Sequence, residues 1–118
     1  MTEPLVSIIT PSFNQAAFLE QTMRSVLEQD YRNIEYIVID GGSTDGSLAI
    51  LDRYGSRLSY TSAPDSGTAD AINRGFGRAR GEIVAWMSAD DTYLPGAVSA
   101  AVEVLTRQTR AIVPLVPS

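Results

Sequence analysis

Two short runs, LVSIITP (5 to 11) and IEYIVID (34 to 40), are β-branched and apolar at nearly every position. Without the alternation of a half-exposed strand, such runs predict strands buried on both faces of a parallel sheet. Between them the period changes: Phe18, Leu19, Met23, Val26 and Leu27 recur at helical spacing, so a helix is expected from a cap at Asn14. The alternation continues along the chain. GGSTDG is a turn, SLAILDRYG a short helix stopped by Gly55, and RLSYTSA a third strand. Ala69, Ile72 and Phe76 mark a helix over 67 to 81, with Arg78 and Arg80 near its negative C-terminal end, before the fourth strand EIVAWMS. Pro95 suits the first turn of a last helix, and AIVPLV reads as a fifth strand weakened by Pro114.

This order predicts an α/β domain: an open, mostly parallel sheet flanked by helices and joined by right-handed crossovers. Residues 1 to 118 form one expected domain, with no internal repeat or linker. In such sheets ligands bind beyond the carboxyl ends of the strands, where the strand order reverses. PSFN, DGGSTDG, APDSG and SADD all follow strand ends and should gather on one rim, three of them carrying acidic residues.

Composition removes much of the remaining chemistry. The 118 residues contain no Cys and no His, and all nine cations are Arg. Thiol nucleophiles, Ser-His-Asp triads, imidazole acid-base catalysis and the usual zinc sites are excluded, as are Schiff-base lysines and the Walker lysine. Any metal must be held by oxygen, which favours Mn²⁺ or Mg²⁺. The net charge of -5, with scattered acids, argues against nucleic acid as a partner. No uncharged run approaches the roughly 20 residues of a membrane span. The expectation is a soluble, cytoplasmic chain, with the membrane surface as the alternative location.

PSFNQA has no GxGxxG after the first strand, so a dinucleotide-binding domain is rejected. Receiver domains and haloacid-dehalogenase-type phosphatases are poor matches because each uses a lysine. A cleft that binds a nucleotide diphosphate through a divalent cation survives, since the cation reconciles an acidic rim with an anionic ligand. Over residues 5 to 100, VSIITPSFN, SVLEQDYRNIEYIVIDGGSTDGS, DAINRGFGRARGEIVAWMSADD and LPGAV resemble, in order and spacing, the family-2 glycosyltransferases.

The resemblance implies the Rossmann-like nucleotide-binding half of the A-type glycosyltransferase fold and an inverting, metal-dependent transferase. It implies that Pro11 and Phe13 lie against the nucleoside and that Asp40 reaches the base. Asp90 and Asp91 fall on the DxD-type motif, Asp91 as direct metal ligand and Asp90 toward the ribose or the metal's water shell. Neighbouring strand side chains point oppositely, so both can serve one site only where the chain leaves extended geometry. The implied partners are a uridine-linked nucleotide-diphosphate sugar and an acceptor saccharide or lipid-linked glycan. The sequence departs from the family pattern at Gly41 and Ala89, where carboxylates are common. The acceptor-binding half and its general base are expected beyond Ser118, so the chain is expected to be truncated. A donor-binding or oligomerisation module without turnover is the alternative function. A shortened sheet would expose an edge, so homo-oligomers are expected.

Plainer uses of these residues stay open at this point. Asp90 and Asp91 could cap a helix, and Asp40 and Asp65 could form turns. Asp70 could serve its helix N-terminus, and Phe13 could pack in the core.

Overall fold

The computed structural model describes residues 3–107. Their order is β1 (Val6–Ser12), α1 (Ala16–Leu27), β2 (Ile34–Asp40), α2 (Ser47–Tyr54), a 3-10 turn (Gly55–Arg57), β3 (Ser59–Ser62), α3 (Thr68–Arg78), β4 (Ile83–Trp86) and α4 (Ala97–Arg107). The expected fifth strand, 111–116, lies outside the described residues.

The four strands form one sheet in the order β3-β2-β1-β4, with every neighbouring pair parallel. The chain thus steps outward from β1 to β2 to β3, then returns to the other side of β1. The strand order reverses between β1 and β4, and this junction positions the site.

All seven residues of β1 are buried, as its unbroken apolar run requires at the centre of a covered sheet. Val6, Ile8, Tyr36 and Val38 point to one face, where they meet Leu19, Met23 and Val26 of α1, Leu51 of α2, and Val98 and Val102 of α4. Ile9, Ile37 and Ile39 point to the other and meet Ala71 of α3. Each fully buried aliphatic side chain contributes about 1.5–3 kcal/mol.

Four local expectations shift, the first at Pro95, which lies in a turn before α4 and not in its first turn. Helix α1 starts one residue after Gln15, while Asn14 adopts a left-handed φ of 52° and does not cap it. Phe18 is 51% exposed, and Thr22 takes a buried position on the α1 core face. On α3, Ala71 and Gly75 face the sheet, with Ile72 half-buried and Ala69 and Phe76 exposed. The cause is close approach: a Cβ on Gly75 would lie 2.4 Å from Ile9 Cγ2. Only small residues fit that helix-sheet interface, so the large apolar residues are turned aside.

Candidate functional site

At the carboxyl ends of the strands the chain encloses an open cleft of about 510 Å³. Pro11, Ser12, Phe13 and Gln15 line it after β1, and Gly41 after β2. Asp65, Gly67, Thr68 and Ala71 line it from the β3–α3 connection, and Ser88, Ala89 and Asp90 after β4. Pro11 is buried in the wall, whereas Phe13 is 57% exposed. Ser12 Oγ is buried and has no protein partner among the described residues. A burial of this kind leaves a hydroxyl ready for a polar ligand.

Asp40 lies beneath this rim and is absent from the cleft lining. It is 1% exposed, and Oδ2 accepts the N–H groups of Gly42 (3.0 Å) and Ser43 (2.8 Å) and the hydroxyl of Ser62 (2.8 Å). Oδ1 accepts the Ser43 hydroxyl at 2.6 Å. Four donors explain how a carboxylate tolerates such burial. Ser43 Oγ in turn accepts the N–H of Asn14, whose Oδ1 accepts the N–H of Thr44. The β1 and β2 loops are therefore laced together, which accounts for the left-handed Asn14.

Asp45 completes the lacing. Its Oδ2 accepts the Ala16 N–H at 2.9 Å, while Oδ1 accepts the N–H and hydroxyl of Ser47 at 3.1 and 2.6 Å. One carboxylate thus serves the first turns of α1 and α2. The Ser47 hydroxyl and then the Ala16 N–H hold the Asp45 carboxyl below its usual range.

After β4 the chain leaves extended geometry at Ala89 and Asp90, and the Asp91 N–H returns to the Ser88 carbonyl at 3.1 Å. Thr22 Oγ1 lies 2.8 Å from the Ala89 carbonyl oxygen and 2.6 Å from that of Asp91, its one hydrogen shared between them. This buried threonine pins the turn from below. Asp90 is exposed at the cleft, Asp91 is half-buried one residue beyond the lining, and Ala89 packs into the core. The apolar spacing of α1 picks out Leu19, Met23 and Val26 and is silent on Thr22, so nothing in the sequence identifies it as a support for this turn.

Among the described residues, no three Asp, Glu, His or Cys side chains cluster as a complete metal cage. A carboxylate in the cleft lining, Asp90, with a second on the next residue, Asp91, nevertheless fits Mg²⁺ or Mn²⁺ chemistry. Such ions are commonly held by one or two carboxylates, with water and ligand phosphates completing the shell.

Asp65 Oδ1 accepts the Gly67 N–H at 2.9 Å, and Asp70 Oδ2 accepts the Ser66 N–H at 2.9 Å. Asp70 also pairs with Arg74 at 3.1 Å, so it serves the start of α3 and does not line the cleft. The Ser66 N–H, with Arg74, holds its carboxyl below the usual range. Asp65 faces the cleft as well as making its turn.

The model for Glycosyl transferase family 2 matches residues 7–118. An uncharacterised glycosyltransferase of Rickettsia typhi is 36% identical over 104 residues, covering 88% of this chain and 33% of the relative. The chain thus spans about a third of that relative's length. Mannosyltransferase PcManGT from Pyrobaculum calidifontis, solved with GDP-Man and Mn²⁺, superposes with a TM-score of 0.81 at 30% identity, covering 89% of this chain and 33% of that one. The S. aureus protein TarS, residues 1–349 solved with UDP-GlcNAc, gives a TM-score of 0.84 at 23% identity over 89% of this chain and 32% of that one. At that identity it supports the fold alone.

Proposed function

Because the chain belongs to glycosyl transferase family 2, we propose that its cleft binds a nucleotide-diphosphate sugar with a divalent cation and serves an inverting sugar transfer. The observation that carries this reading is the turn Ser88–Asp91 after β4, where the strand order reverses, with Asp90 in the cleft lining and Asp91 the next residue along. Phe13 offers its face to the nucleoside beside Pro11, and Asp40 holds the loop beneath the base. Asp91 and Asp90 would hold Mn²⁺ or Mg²⁺ together with the diphosphate. When bound, such an ion neutralises the charge that develops on the departing nucleoside diphosphate.

Chemically, a hydroxyl of an acceptor saccharide or lipid-linked glycan forms a new bond to the anomeric carbon as the bond from that carbon to the diphosphate oxygen breaks. Attack from the opposite side inverts the configuration. The hydroxyl's proton passes to a base. The cleft carboxylates are assigned to the donor, so that base is sought outside residues 3–107. The donor is read as uridine-linked from the family resemblance, and the GDP-Man bound by PcManGT makes guanosine the competitor to measure against.

Calorimetry with UDP and with GDP, each with and without Mn²⁺, tests the donor site on wild type and Asp91→Ala. Metal-dependent binding at least tenfold weaker in the variant is expected, a change of about 1.4 kcal/mol. Equal or absent heats in both proteins would remove the donor site. Release of nucleoside diphosphate above background then separates turnover from binding alone.

A further inference from the structure

Gly41 and Gly42 stand together at the end of β2, but for different reasons. Gly42 has a φ of +92°, a conformation that strains any L side chain. Gly41 is not among the positive-φ glycines, and its N–H continues the strand pairing to the Ser12 carbonyl at 2.9 Å. The backbone at 41 therefore admits a side chain, whereas the space above it does not. A Cβ on Gly41 would lie 2.9 Å from Asp65 Oδ2, 3.1 Å from Oδ1 and 3.2 Å from Cγ.

Asp65 is held from one side only. Its Oδ1 accepts the Gly67 N–H, and among the described residues no protein donor is found on Oδ2, the atom nearest position 41. A turn of this type uses one carboxylate oxygen and makes no demand on a residue in a different loop. Both Gly41 and Asp65 line the cleft.

An ionised carboxylate only accepts hydrogen bonds, and it repels phosphate. The group received at this end must therefore bring a donor, while the diphosphate belongs at the cation end near Asp90. Phe13 lines the same cleft with its ring largely exposed, and a group with both a flat π face to stack and an N–H is a nucleobase. Resting on the donor-binding reading above, we propose that Gly41 and Asp65 form one recognition element. The glycine leaves open the space in which the Asp65 carboxylate stands, and Oδ2 accepts a hydrogen bond from a ring N–H of the donor's base.

The test uses the 118-residue chain with Mn²⁺ and calorimetry against UDP and GDP, each beside its form methylated on the Watson–Crick ring nitrogen. Wild type is expected to prefer the unmethylated form of its nucleotide by at least tenfold. Asp65→Asn keeps an oxygen for Gly67 but turns an amide nitrogen toward the base, and should abolish that preference. Gly41→Ala should weaken binding toward the level of Asp65→Asn without a shift in melting temperature, and the double variant should bind no more weakly than Asp65→Asn alone. Additive losses, or discrimination that survives in Asp65→Asn, would overturn the element while leaving the donor site standing. A wild type that binds neither nucleotide would remove both.

Discussion

The two ends of the same parallel strands use polar groups in opposite ways. At the amino ends, the buried Ser7 hydroxyl donates to Glu35 Oε1 at 2.8 Å and accepts the Gly81 N–H at 2.8 Å. Glu35 also accepts the Arg80 backbone N–H and its guanidinium Nε–H at 2.9 and 2.8 Å. Every member of that set is answered by another, and the result ties the α3–β4 connection to β1 and β2. At the carboxyl ends, among the described residues, Ser12 Oγ and one Asp65 oxygen have no protein partner, and Asp90 is exposed at the cleft. The amino end uses its polarity to close the fold, whereas the carboxyl end, beyond the lacing by Asp40 and Asp45, also keeps polarity available for a ligand.

The same substitution at the two ends should expose this contrast most strongly. A Cβ on Gly81 would lie 2.7 Å from the Ser7 backbone nitrogen and 2.8 Å from the Leu5 carbonyl oxygen, atoms that cannot swing away. Gly81→Ala is expected to cost about 3 kcal/mol, seen as a melting temperature lower by roughly 10 °C. Gly41→Ala, whose neighbour is the end of a movable side chain, should stay within about 0.5 kcal/mol. Equal losses at both glycines would erase the distinction.

Next in size is a loss at the ligand end. Asp90→Ala should weaken metal-dependent nucleotide binding about tenfold, by calorimetry, while a thermal melt moves by less than about 1 kcal/mol equivalent. At the other end Glu35→Gln should do the reverse: a loss of about 1–2 kcal/mol in urea unfolding with nucleotide affinity unchanged.

The smallest effect is the share of the pH dependence that Glu35 contributes at the closed end. Burial pushes the Glu35 carboxyl up, but the Arg80 N–H, the Ser7 hydroxyl and the Arg80 guanidinium outweigh it and leave the group below its ordinary value of 4.5. A depressed folded pKa means that the unfolded chain binds the proton first as pH falls. Stability from Glu35 is therefore complete above that ordinary value and is lost as acidity passes through the folded one. Urea midpoints measured from pH 6 downward should fall less steeply in Glu35→Gln than in wild type.

Much of this architecture was legible because β1 and β2 are apolar on both faces and α1 switches to a helical period. The rim was legible for the same reason, since loops that follow buried parallel strands must share one side of the sheet. Legibility ended where a residue's role depends on a partner distant in sequence. The apolar spacing passes over Thr22 until the Ala89 and Asp91 carbonyls are placed over it. Asp40 reads as a strand-end carboxylate until Ser43 and Ser62 are seen to occupy its oxygens. Gly41 reads as half of a flexible pair until Asp65 is found above it. Hydrophobic periodicity encodes burial, whereas these are pairings of single atoms across loops.

The double engagement of Asp45 has a mechanical consequence. With one carboxylate on the first turns of both α1 and α2, and Asn14 laced to Ser43 and Thr44, neither loop can lift from the rim without releasing the other. The two helix starts should therefore open as a single unit. In hydrogen exchange, the Ala16 and Ser47 amides should share one opening free energy, and Asp45→Ala should split it into two. A ligand resting on either loop would then slow exchange on both, so occupancy of the cleft would be felt across the rim as stiffness.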